Sequence, residues 1–299
     1  MPSFPAPYAR LNAYIAPAGT RSELWRILIG LLIAAVFGFL SIQGIMLGLV
    51  ALSGPDRARA LAIELATGST PQGVVALLFC YLPIMGGLAL ALALMMRRGL
   101  HSLIGPLGPA LRNFLWVALP LMGLWLTMLP FAVMGDNVSA HLTLGQQLPW
   151  LPFALAGLLV QTGTEELVFR GYLQQHLAAR FRSRWVWMGV PSVLFGLAHY
   201  SAQQYGALSW LVVAWTALFG VVAADLTART GNLGAAVGLH FANNVSAVLL
   251  IGMSGNIGGL ALFNAAVDTS DLSGALVYLA LDTVTLLIGW LLARLILRV

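Results

Sequence analysis

PWLPFALAGLLVQTGTEELVFRGYLQQ, residues 149–175, joins an uncharged, mostly apolar run to two adjacent carboxylates, Glu165 and Glu166, with Arg170 one helical turn later. A helix of ~20 apolar residues fills the ~30 Å hydrocarbon layer of a bilayer, and this stretch is long enough to do so. Its ionisable groups then lie where each costs roughly 2.5–3.5 kcal/mol. Neighbouring helical residues diverge by ~100°, so the two carboxylates face different directions. Arg170, at i+4, shares a face with Glu166. An intrahelical ion pair therefore accounts for Arg170 and Glu166 and leaves Glu165 without a local partner. A carboxyl of that kind suits a general base or acid, and equally a proton relay.

The rest of the chain agrees with a membrane reading. Hydrophobic residues make up 60% of the 299 and charged ones 8%, with a mean hydropathy of +0.89; a water-soluble domain does not carry that balance. Eight apolar spans are predicted, at about 27–52, 72–96, 113–134, 150–176, 185–200, 207–228, 232–252 and 273–297. The expected fold is all-α, a polytopic transmembrane helical bundle. Residues 1–26 read as a short cytoplasmic or interfacial segment and 27–299 as one transmembrane domain. No signal peptide is read at the start, and Cys80, alone, rules out a cysteine framework or cluster.

All fifteen basic residues are arginines, and they fall on alternate loops. Arg10, Arg21 and Arg26 precede the first span; Arg97, Arg98 and Arg112 follow the second; Arg180, Arg182 and Arg184 follow the fourth; Arg229, Arg294 and Arg298 continue the pattern. Only Arg57 and Arg59 lie opposite, diluted by Asp56 and Glu64. The positive-inside rule then places both termini in the cytoplasm. The +5 charge is a topology signal, and no nucleic-acid partner is expected.

Two further polar sets occur inside spans. PSVLFGLAHY places Phe195 four residues before His199, and GLHFANNVS places His240 four residues before Asn244. Each alone fits a structural role, an interhelical hydrogen bond for instance. Together with the glutamates they supply what peptide hydrolysis needs: a group to activate water, a donor for the oxyanion and a group to protonate the leaving amine. Asp225, four residues before Arg229, reads as an ion pair, and Asp282 as an acid bonded to a neighbouring span.

Glu165-Glu166-x3-Arg170, Phe195-x3-His199 and His240-x3-Asn244, in that order on successive spans, resemble the CPBP family (CAAX-prenyl-protease and bacteriocin-processing, or Abi, intramembrane proteases). All three elements are intact, and the matching region is about 150–252. The resemblance implies an intramembrane endopeptidase with Glu165 as the base on the catalytic water. It further implies that Glu166 and His199 share water positioning and proton transfer, that His240 and Asn244 stabilise the oxyanion, and that Arg170, with Phe195, supports the site. A cavity open to the cytoplasm, a membrane-associated peptide or protein substrate and a bacterial inner membrane location are implied as well. Glu165, Glu166, His199 and His240 could supply zinc ligands, but without an HExxH pattern a metal-free, glutamate-activated water fits the residues equally. Two other classes share these residues: a non-catalytic scaffold or bacteriocin-immunity protein, and a proton-coupled transporter, for which no internal repeat is visible. Oligomeric state is not legible, and lipid is the one other partner expected.

A straight helix from Trp185 would put His199 ~21 Å along its axis at 1.5 Å per residue, far from Glu165. A kink at Pro191 or an interfacial start at Trp185 would relieve this.

Overall fold

The computed structural model describes residues 1–135, 137–253, 257–266 and 271–299. After a short helix α1 (Leu11–Ile15), the chain forms α2 (Leu24–Ser53), the amphipathic α3 (Pro55–Thr67), α4 (Pro71–Met96) and α5 (Leu107–Ala132). The breaks follow local chemistry. Gly54, at φ 84°, ends α2 and Pro55 opens α3, where its missing N–H costs nothing. Thr70 caps α4 by accepting a hydrogen bond from the Gly73 N–H (3.1 Å), ahead of Pro71.

The sixth helix, α6, runs from Leu151–Glu166 through a π-helical stretch, Leu167–Gln174, into Gln175–Arg180. It is followed by α7 (Trp185–Leu197), α8 (Ala202–Thr230), α9 (Gly234–Leu250) and α10 (Leu272–Leu297). Among the described residues α2, α4, α5, α8 and α10 are long and apolar enough to cross a membrane. The other three predicted spans behave differently: α7 and α9 are shorter apolar helices, and α6 is the helix that carries the glutamates. The chain is a multi-pass, all-α membrane protein. Its one departure is a small sheet in the order β1–β3–β2, made from β1 (Val138–Ala140), β2 (Ile251–Met253) and β3 (Phe263–Ala265).

Packing places the glutamate helix at the centre. α2 packs on α4, α4 on α6, α6 on α9, and α9 on α5, while α7 packs on α8 and α10 covers α5 and α8. Gly234 and Gly238 let α9 approach α5 closely: a side chain at Gly238 would meet the Phe114 carbonyl at 2.8 Å, and one at Gly234 would meet that of Ala110. Toward the arginine-rich end, α6 is buried almost continuously from Leu173 to Ala179.

The amino-terminal segment is more than a lead-in. Phe4, Tyr8, Leu11, Tyr14 and Ile15 are buried in one apolar cluster with Tyr172, Leu177 and Trp187. Tyr8 donates its hydroxyl proton to Asp225 Oδ1 at 2.7 Å, and Asp225 Oδ2 accepts from Arg229 Nε (2.7 Å) and Trp290 Nε1 (2.9 Å). Tyr14 donates to the Leu103 carbonyl at 2.6 Å. The Asp225–Arg229 pair read from the sequence is present, within a hub that ties the first residues to the last helix. Asp282 is a correction: it sits on an exposed face of α10, and among the described residues its carboxylate bonds to no neighbouring helix.

Candidate active site

Glu166 and Arg170 are both fully buried. Arg170 Nη1 donates to Glu166 Oε1 at 2.9 Å, and the same oxygen lies 2.8 Å from His240 Nδ1. A carboxylate oxygen accepts only, so Nδ1 carries the proton. The other ring nitrogen, Nε2, then faces Glu165 Oε2 at 3.5 Å, near enough for charge attraction and too long for a good hydrogen bond. A proton on either atom makes that approach attractive; with none, two lone pairs oppose each other. His240 thus bridges the adjacent glutamates that the helix points apart.

Among the described residues the Arg170 guanidinium pairs with this one carboxylate. Its carbon stands 4.5 Å from the Phe195 ring centre and 5.9 Å from that of Phe169, and aromatic faces soften the cost of a buried cation. Phe195, 2% exposed, is the hub of the cluster. Its ring centre is 4.6 Å from that of His199, 5.1 Å from Phe169, 5.8 Å from His240 and 6.0 Å from Phe219.

His199 does not extend a straight helix. α7 begins with a π-helical turn, Trp185–Gly189, and ends at Leu197, so His199 lies in the following turn. Its ring folds back to donate from Nδ1 to the Phe195 carbonyl at 2.8 Å, which leaves Nε2 with a free lone pair. His199 is half-buried and joins neither glutamate by a hydrogen bond or ion pair; Phe195 stands between it and His240.

Asn244 is also half-buried, and its Nδ2 donates to Gln161 Oε1 at 2.8 Å. Gln161, four residues before Glu165, is on the same face of α6. The Tyr81 hydroxyl, from α4, lies beside Glu165 and Gln161. Sequence reasoning missed both. Gln161 had a signal, a carboxamide one turn before a buried carboxylate; Tyr81 had none, because its contact depends on how α4 crosses α6.

Among the described residues no three His, Cys, Asp or Glu side chains converge on a metal position. The arrangement is instead a chain of polar groups from Arg170 through Glu166, His240 and Glu165 to Tyr81, Gln161 and Asn244.

Residues 147–246, about a third of the chain, match the family described as "Type II CAAX prenyl endopeptidase Rce1-like". This is the region that holds all three motifs, and the match supports the CPBP resemblance they carry. The chain is also similar to "Uncharacterized protein YyaK" of Bacillus subtilis (strain 168), 27% identical over 177 residues. That alignment takes in 57% of this chain and spans 58% of the relative. No solved structure matches.

Proposed function

We propose that the protein is a CAAX-type intramembrane endopeptidase that hydrolyses a peptide bond of a membrane-associated substrate, with Glu165 as general base. The observation that carries this reading is the asymmetry of the glutamate pair. Glu166 is met by Arg170 at 2.9 Å and His240 at 2.8 Å, whereas among the described residues Glu165 has only the longer 3.5 Å approach of His240 and keeps 9% exposure beside Tyr81. Support comes from the match of the motif-bearing segment to Rce1-like proteins.

Glu165 takes a proton from water, and the water oxygen attacks the scissile carbonyl carbon. The carbonyl oxygen becomes an oxyanion, which Asn244 Nδ2 and the Tyr81 hydroxyl stabilise as donors once substrate displaces their present contacts. As the carbon–nitrogen bond breaks, the proton passes from Glu165 to the leaving amine. His240 holds the two glutamates in register through its two nitrogens, and Arg170 fixes Glu166. His199, its tautomer set by the Phe195 carbonyl, offers Nε2 to the water or the amine from the open side. No step is routed through a metal. Both termini are cytoplasmic and the membrane is a bacterial inner membrane, in keeping with the arginine pattern. The substrate carries a hydrophobic carboxy-terminal region, prenylated or otherwise.

The test is cleavage of a quenched fluorescent lipopeptide by the purified protein in nanodiscs. Glu165→Gln should lower turnover by roughly 10²–10⁴-fold while elution volume and melting temperature stay at wild-type values. Wild-type turnover by that variant would end the assignment.

A further inference from the structure

The end of the bundle that the arginines assign to the cytoplasm holds a second polar feature, remote from the glutamates. A cleft of about 390 Å³ opens between the amino-terminal segment, the start of α5 and the ends of α8 and α10. Arg10, Arg112 and Arg298 line it, together with Trp116 and the buried Asn113 and Thr230. No carboxylate is among the lining residues. The three arginines are exposed, and among the described residues none has an ion-pair partner, whereas Arg26, Arg170 and Arg229 each have one. Three like charges left unpaired around one concavity repel each other, a cost that an anion in the cleft would reverse.

The surroundings indicate which anion. Arg112 and Trp116 lie one turn apart on α5, the guanidinium carbon 5.7 Å from the indole ring centre. Leu107, Leu111, Leu115 and Leu119 on the same helix are all exposed, as is Leu295 on α10. An apolar wall meets a cationic cleft here, with a tryptophan at the junction, as at the headgroup level of a bilayer. Asn113 and Thr230, 6% and 7% exposed, add a polar floor, and Asn113 Nδ2 bonds Asn232 Oδ1 at 3.2 Å. The volume is at the small end of the ~300–1,000 Å³ usual for ligand sites, room for one headgroup.

We propose that this cleft binds the phosphodiester headgroup of an anionic phospholipid, with Arg10, Arg112 and Arg298 as the phosphate ligands. Guanidinium forks match phosphate oxygens in pairs, and basic pockets between helices on the cytoplasmic side are suited to such headgroups. A lipid seated there joins the amino-terminal segment to the last helix through a shared anion. The proposal does not depend on the peptidase reading.

Lipid retention counted by native mass spectrometry, in protein released from nanodiscs of mixed phosphatidylglycerol and phosphatidylcholine, tests it. The wild type should keep a phosphatidylglycerol molecule in preference to phosphatidylcholine. At a roughly fivefold preference per guanidinium, R112Q/R298Q should lose that preference by about 25-fold. R57Q/R59Q, which removes the same charge at the other end, should keep it. All four arginines are exposed, so folding is not at stake. Inorganic phosphate is added as a separate arm: if it alone raises the wild-type melting temperature, and not that of R112Q/R298Q, the site stands and its source is free phosphate. Equal phosphatidylglycerol preference in R112Q/R298Q and wild type, or equal loss in both double variants, would overturn the proposal.

Discussion

Replacing Arg170 by Met removes a cation from a fully buried position. Both partners of the Arg170–Glu166 pair are fully buried, and among the described residues the 2.9 Å bond is the only one the guanidinium makes. The loss comprises that charge-assisted bond, the contact over Phe195 at 4.5 Å and the shelter of Glu166, whose remaining neighbour is His240. Breaking a buried pair from one side costs about 3–5 kcal/mol, because a buried charge is left without its partner. At the lower end of the usual scaling, about 2 °C per kcal/mol for a large domain, the melting temperature in detergent should fall by roughly 6–10 °C. The companion variant Glu166→Gln/Arg170→Met removes both charges and keeps both volumes. It should recover more than half of the loss, a coupling of about 2–3 kcal/mol in the double-mutant cycle. Scanning fluorimetry on wild type, both single variants and the double variant supplies the numbers. An Arg170→Met protein as stable as wild type, or a double variant at the sum of the singles, would refute the view that the pair is held together by mutual neutralisation.

Tyr81→Phe should lower turnover roughly 10²-fold, the cost of one lost oxyanion donor, with KM little changed, as steady-state kinetics on the lipopeptide would show. Chelator treatment followed by metal analysis should leave turnover unchanged, because among the described residues no three His, Cys, Asp or Glu side chains converge on a metal position. The Tyr8 hydroxyl has its pKa pushed up to about 12, first by burial and then by its hydrogen bond to Asp225. A raised pKa favours the folded state below the free tyrosine value of ~10. That contribution fades as pH climbs through about 12, so hydrogen exchange in residues 4–15 should rise over this window and be less pH-dependent there in Tyr8→Phe.

Hydropathy made the helices legible, because a bilayer demands long apolar runs, and the i+4 spacing made the Glu166–Arg170 pair legible within one helix. What sequence spacing could not convey was partnership between helices. The bridge from His240 to both glutamates depends on how close Gly234 and Gly238 let α9 approach α5, and the reach of Tyr81 on the crossing of α4 over α6. The course of the chain up to His199 stayed open because the π-helical turn at Trp185 and the helix end at Leu197 leave no hydropathy trace. The Pro-rich start concealed aromatic residues whose burial depends on a seat made from distant segments. Asp282 shows the converse error: a carboxylate in an apolar run invited a partner that the packing of α10 does not provide.

Tyr8 and Asp225 are separated by 217 residues, and Trp290, which shares that carboxylate, comes later still. At ~5–20 residues per second, roughly 10–40 s pass between synthesis of the tyrosine and of its acceptor. Throughout that interval the Tyr8 hydroxyl has been made but its carboxylate acceptor has not. The residues that emerge first are therefore among the last to settle, and closure of this end reports that every helix has arrived. A ribosome stalled before α10 would leave the segment open to proteases, a timestamp on assembly written in its first residues.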